Sequence, residues 1–187
     1  MIAVFLTSFM GILAAEFGDK SQLITLNLSS RYPPLQVLAG AMTGLGIVLA
    51  MAVALGQVIY DYIPLESVVY FSGGLFIVIG FWTLFSREKK HQEKDSDMRR
   101  HGFFQSAVLL FFSELGDKTQ IAAMLFTASF GMPLVVFAGA MTAMFINHAL
   151  AVYLGARFLS LIPPLLLKRL SAMVFVLMGL FIIIFGS

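Results

Sequence analysis

The sequence predicts an all-α integral membrane protein of six transmembrane helices, arranged as two inverted three-helix repeats. Three observations carry this expectation. The chain of 187 residues is 59% hydrophobic and 12% charged, about half the charged share of a soluble domain. That leaves too little polar surface to cover a soluble globule of this size. Charged residues are absent from 32–60, 67–86, 119–147 and 170–187, and each run approaches or exceeds the roughly 18 to 20 residues that span the hydrocarbon core as a helix. Finally, the second half of the chain repeats the first.

The six segments are read in order as 2–29, 34–60, 67–86, 103–129, 133–158 and 165–186. The first lacks a basic region ahead of its apolar run, and acids follow directly, so it reads as structure and not as a signal peptide. The separators carry turn chemistry: Ser29-Ser30-Arg31-Tyr32-Pro33-Pro34, Asp61-Tyr62-Ile63-Pro64, Gly131-Met132-Pro133 and Ile162-Pro163-Pro164. The stretch at 87–102 is strongly charged and reads as a solvated loop between a first repeat at 1–86 and a second at 103–187. Spanning segments must satisfy their own backbone, as helices or a closed barrel, and apolar runs this long favour helices.

Basic residues set the expected orientation. Arg31, the six Lys and Arg of 87–100, Arg157, Lys168 and Arg169 all fall on one side if the segments alternate. Asp61 and Glu66 sit on the other. The long loop is therefore expected in the cytoplasm and both termini outside. A net charge of +2 and a pI near 9.0 do not imply a nucleic-acid partner, because the basic residues lie where membrane topology wants them. The absence of cysteine excludes disulfides and thiolate metal ligands.

The internal repeat spans nearly the whole chain. Ala15-Glu16-Phe17-Gly18-Asp19-Lys20-Ser21-Gln22 returns as Ser113-Glu114-Leu115-Gly116-Asp117-Lys118-Thr119-Gln120 at an offset of 98. Ala39-Gly40-Ala41-Met42-Thr43 returns unchanged at 138–142, and Leu55-Gly56, Ile63-Pro64 and Gly80 also recur, at an offset of 99. Three helices per half is an odd number, so the second half enters the bilayer from the opposite side. Transporters use such inverted repeats, with the site at the midplane where they meet.

Glu16, Asp19, Glu114 and Asp117 lie inside predicted segments one and four. An acid at the bilayer centre costs at least ~2.5 to 3.5 kcal/mol. One reading is structural: Lys20 and Lys118 stand four residues after Glu16 and Glu114, at helical pairing distance. That leaves two acids unpaired, and apolar residues often replace buried ion pairs without loss. The other reading is a cation site. Glu and Asp three apart share nearly one helix face. Gly18 and Gly116 between them permit close helix approach or a break that turns backbone carbonyls toward a ligand. Hard oxygen ligands of this kind suit Ca, Mg or Mn. Ser21, Thr119, Gln22 and Gln120 are candidates to add neutral oxygens or orient the carboxylates, or to make helix–helix hydrogen bonds. Four carboxylates and two ammonium groups sum to −2, which one divalent cation or two protons neutralise. Exchange of one cation for two protons keeps both loaded states neutral in low dielectric.

These two copies of Glu-x-Gly-Asp-Lys-Ser/Thr resemble the GDT family of cation/proton antiporters, within the lysine-exporter superfamily. The resemblance covers both motifs, the six helices and the charged central loop. It implies transport of Mn2+, or alternatively Ca2+, against protons, with no resident cofactor beyond the transported ion. By that resemblance Glu16, Asp19, Glu114 and Asp117 are the cation ligands, with Lys20-Ser21 and Lys118-Thr119 completing each motif. The short chain looks like the bacterial type, which implies a manganese exporter of the plasma (inner) membrane.

Asn147 and His148 have the apolar counterparts Val48 and Leu49 in the first repeat. Two readings are open: a proton relay or cation gate, and a buried interhelical hydrogen bond. Ala-Gly-Ala-Met-Thr offers small residues for packing against the motif helices. A thioether ligand from Met42 or Met141 is a weaker reading. Three other classes were weighed. A membrane enzyme lacks support, because no zinc, nucleophile or phosphate-binding motif is present. A passive cation channel fits inverted repeats and balanced charge less well than alternating access. An exporter of another small solute, such as an amino acid, would need a site for an amine as well as a carboxylate.

Overall fold

A computed structural model describes residues 1–85, 102–159 and 164–185. The charged loop predicted at 87–102 lies outside the described residues apart from Gly102, as does the turn at Ile162-Pro163. Every element among the described residues is a helix, with no strand among them. The elements are α1 (Ile2–Glu16), α2 (Lys20–Ser29), α3 (Pro34–Tyr62), α4 (Leu65–Phe85), α5 (Gly102–Glu114), α6 (Lys118–Phe130), α7 (Pro133–Leu159) and α8 (Pro164–Phe185).

Helix ends fall where the turn chemistry directs. Pro34 occupies the first turn of α3, where a missing amide is harmless. Ile63 ends that helix in an extended conformation, as a residue before proline prefers. Gly131 closes α6 with φ +60° and its N–H on the Thr127 carbonyl at 2.9 Å. The four segments without the acidic motif form single helices. Segments one and four are each broken in two, and α1 and α2 meet at 70°.

This is a membrane protein by its helices. Pro34–Tyr62 and Pro133–Leu154 are each long and apolar enough to cross a bilayer, and the bent pair α1–α2 qualifies as a broken span or a re-entrant pair. Leu6, Ile47, Trp82, Phe112 and Ile184 are among many large apolar side chains on the outer surface. In water such a surface would be an aggregation hazard; in lipid it is a solvated one.

Packing exchanges when the two halves are swapped. α3 packs on α5 and α6, and α7 packs on α1 and α2. α3 also crosses α7, and α4 lies along α8. The repeated Ala-Gly-Ala-Met-Thr sequence makes the first of these contacts. A side chain on Gly40 would strike the Phe103 carbonyl and Ser106 of α5, and one on Gly139 would strike Ser8 and the Phe5 carbonyl of α1. Small residues thus let each long helix seat on the motif helix of the other repeat, the packing role expected for this sequence. Thr43 and Thr142 instead bond back to the Ala39 and Ala138 carbonyls. Phe76, Phe126 and Phe175 fill the space between α4, α6 and α8, with ring centroids 4.8 and 6.0 Å apart.

Candidate metal centre

The motif Glu-x-Gly-Asp folds as a tight turn between two helices. Glu16 ends α1. Phe17 follows at φ −65° and ψ 117°, and Gly18 at φ +77°. The Asp19 N–H closes back on the Glu16 carbonyl at 3.1 Å. These are the features of a type II turn, whose third residue needs a positive φ and therefore glycine. Gly116 has the same φ of +77°, and the Asp117 N–H bonds the Glu114 carbonyl at 3.1 Å. Each Asp then occupies the N-cap position of the next helix, yet neither carboxylate makes a capping bond. The glutamine three residues on instead reaches back to the turn. Gln22 Oε1 accepts from the Gly18 N–H at 2.8 Å, and Gln120 Oε1 from the Gly116 N–H at 2.7 Å. This leaves both aspartates free to face other partners.

The expectation of a Glu and an Asp on one helix face is corrected here. The turn interrupts the helix between them, because glycine at φ +77° cannot continue an α-helix. The lysines do not pair with the glutamate four residues before them either. Lys118 Nζ donates to Asp19 Oδ2 at 2.5 Å, and Lys20 Nζ stands 3.7 Å from Asp117 Oδ1. Both pairs join one elbow to the other. Glu16, 1% exposed, accepts from the Ser21 hydroxyl at 2.9 Å and from the Thr119 hydroxyl of the opposite elbow. Both hydroxyls thus reach one carboxylate, and the Thr119 bond also joins two helices.

The structure brings three of the four predicted acids together. One carboxylate oxygen each from Glu16, Asp19 and Asp117 lie within 4.8 Å of one another. Glu114 does not join that set. It is equally buried, and neither of its oxygens has a hydrogen-bond partner among the described residues; Asp117 Oδ2 also lacks one. Buried carboxylate oxygens without a partner from the protein are uncommon, and they are the ones open to a ligand or a proton. Three converging carboxylates flanked by hydroxyls are a donor set for a hard divalent ion.

Asn147 and His148 are fully buried on α7, and both bond to the first elbow. Asn147 Nδ2 donates to the Leu13 carbonyl at 3.1 Å, and its own carbonyl accepts from Gln22 Nε2 at 2.8 Å. His148 Nδ1 lies 2.9 Å from Thr25 Oγ1. Thr25 had no place in the sequence reading. The signal for it is that its counterpart in the second repeat is Ala123, with no hydroxyl.

Helices that enclose paired acidic elbows in an apolar shell define a membrane protein with a candidate cation-binding centre. Comparison with known proteins gives the family. Residues 4–91 and 102–187 match the family described as "Divalent cation/proton antiporter GDT1", and the chain belongs to it. A protein of Vibrio cholerae serotype O1 named "Putative manganese exporter" is 30% identical over 96% of this chain and 90% of its own length. "GDT1-like protein sll0615" of Synechocystis is 28% identical over 69% of this chain and 72% of its own. "GDT1-like protein 3" of Arabidopsis thaliana is 27% identical over 62% and 48%. No solved structure matches the chain.

Proposed function

We propose that this divalent cation/proton antiporter exports Mn2+ from the cytoplasm across the plasma membrane by alternating access, with Glu16, Asp19, Glu114 and Asp117 as the groups that carry cation and protons. The observation that carries this is the convergence of three carboxylates from two broken helices, beside a fourth buried acid without a partner. The likeness to a protein named as a manganese exporter favours Mn2+, and an all-oxygen donor set also accommodates Ca2+.

The lysines act as stand-ins for the cation. With Lys118 on Asp19 and Lys20 near Asp117, the elbows hold together without an ion, and an arriving divalent ion displaces the ammonium groups. The site's formal charge of −2 is met either by one such ion or by two protons, giving an exchange of one for two. Six spans in two inverted repeats are supported by the exchange of packing partners between halves, by the matching φ at Gly18 and Gly116, and by the apolar lengths of the segments. An odd number of spans per repeat, with the basic residues on one side, orients the long loop to the cytoplasm and both termini outside.

The test is transport in proteoliposomes under an imposed pH gradient, with Mn2+, Ca2+ and Mg2+ offered separately. Proton-coupled Mn2+ flux is expected in the wild type, with a loss of at least about a hundredfold in both Asp19→Asn and Asp117→Asn, in line with removing a charged partner from a buried site. A wild-type protein that is folded and inserted but moves no divalent ion would overturn the proposal. Unitary currents would favour a channel.

A further inference from the structure

The two elbows share a sequence motif and a turn, yet among the described residues only the first is joined by side-chain hydrogen bonds to the long helix of the other repeat. Three hydrogen bonds make the tie. Asn147 Nδ2 donates to the carbonyl of Leu13 on the α1 arm, Gln22 Nε2 on the α2 arm donates to the backbone carbonyl of residue 147, and Thr25 Oγ1 meets His148 Nδ1, so the first and third depend on the side chains of Asn147 and His148. Thr25 has one hydroxyl proton, and its oxygen also lies 2.9 Å from the Ser21 carbonyl. With that proton on Ser21, the imidazole N–H completes the contact with Thr25. Both arms of the 70° bend are thus fixed to α7.

Among the described residues the second elbow has no equivalent side-chain bonds. The counterparts of Asn147 and His148 are Val48 and Leu49 on α3, and that of Thr25 is Ala123. All three are buried and apolar. Gln120 repeats the local bond to its turn glycine, but the helix across from it offers no side-chain partner at those positions. The second elbow is also the more open. Leu115 is 41% exposed, and a side chain built on Gly116 would meet no atom within 4 Å. Gln22, by contrast, is fully buried.

We propose that Asn147 and His148 are positioning residues that clamp the α1–α2 elbow to α7, so that cation-coupled rearrangement is carried by the α5–α6 elbow. This rests on the alternating-access reading of the protein. It assigns unequal mechanical roles to two chemically matched motifs: a fixed arm presenting Glu16 and Asp19, and a moving arm presenting Glu114 and Asp117.

Hydrogen–deuterium exchange of the protein in lipid nanodiscs tests it, comparing peptides that cover 13–22 with those that cover 111–120 after correction for intrinsic rates. In the wild type the first elbow is expected to exchange about tenfold more slowly, the difference made by two or so buried hydrogen bonds. Asn147→Val/His148→Leu copies the residues of the first repeat onto α7. It is expected to raise exchange at 13–22 about tenfold and leave 111–120 unchanged. Thr25→Ala, which copies Ala123 and leaves α7 intact, is expected to give a smaller rise at the same peptide. Adding Mn2+ is expected to alter 111–120 more than 13–22 in the wild type, and the two elbows more nearly alike in the unclamped variants. Equal protection of the two elbows in the wild type, a rise at both elbows in the variants, or a Mn2+ response confined to 13–22 would each overturn the clamp. Parallel transport assays separate the two claims: absence of any divalent flux from wild-type proteoliposomes defeats the functional reading, while the metal-free exchange comparison still decides the clamp.

Discussion

Replacing Lys118 by Met should make the protein bind its cation more tightly and move it more slowly. Lys118 donates to Asp19 at 2.5 Å, and the two side chains are 24% and 20% exposed. A hydrogen bond between charged groups at such a site contributes about 1.5 to 3 kcal/mol. An incoming divalent ion must displace it to reach Asp19. Methionine keeps the length of the stem and removes the competing charge, so the cation gains that energy. At tenfold per 1.4 kcal/mol, Mn2+ affinity should rise about ten- to a hundredfold. Turnover should fall, because the ammonium group is no longer present to reclaim Asp19 as the ion leaves. Lys20→Met is the internal control. Lys20 stands 3.7 Å from Asp117 and is 37% exposed, and an ion pair of that kind is worth at most about 1 kcal/mol. Its effect on affinity should stay below about fivefold. Calorimetric titration with Mn2+ at pH 8, where protons compete least, gives both dissociation constants, and proteoliposome flux gives turnover. Unchanged or weaker binding in Lys118→Met, or equal effects from the two lysines, would refute the idea that Lys118 holds the cation's place.

Two glycine substitutions separate backbone strain from steric conflict. Gly116→Ala meets open space but forces alanine to φ +77°, a cost of about 1 to 2 kcal/mol; thermal unfolding in detergent should fall by about 2 to 8 °C for a chain of this size. Gly40→Ala has an ordinary helical φ but collides with the Phe103 carbonyl and Ser106, so α3 must move off α5. It should destabilise more than Gly116→Ala, and a smaller shift in the same assay would contradict the packing described for these helices.

The fold was legible in the sequence where physics acts locally. Charge-free runs set the positions of α3, α4, α7 and α8, and proline and glycine set their ends. The elbows were legible in part. Glu-x-Gly-Asp carries glycine at the third turn position, a type II signature. Asp-Lys-Ser-Gln then matches an N-cap residue followed three places on by glutamine, the pattern of a capping box. Together they specify a helix end and a helix start, which favours the break at Gly18 and Gly116 over the shared helix face that apolar continuity suggested. The cross-pairing of Lys118 with Asp19 had no local signal. Residues 99 positions apart meet because of how the repeats dock, and an alternative partner at helical spacing stood closer in sequence. Thr25 was hard to single out for a similar reason: threonine in an apolar helix usually bonds its own backbone, as this one does to Ser21, and the missing hydroxyl at Ala123 was its one cue in the sequence.

A duplicated motif does not require a symmetric site, and the hydroxyl groups make the point. Ser21 and Thr119 occupy matching positions, one per repeat, and each has a single proton to donate. Perfect symmetry would give one to each glutamate, or leave both shared. Instead both hydroxyls reach Glu16, one from its own elbow and one across the interface. Glu114 is left buried with no hydrogen-bond partner among the described residues. The two glutamates therefore stand in unlike environments while their sequences stay alike. Alternating access around such a site needs one repeat to move against the other, and unlike environments for matched groups are the form that difference takes here. The identical turns at Gly18 and Gly116 supply the equivalence, and the unequal ties to α7 and α3 supply the difference.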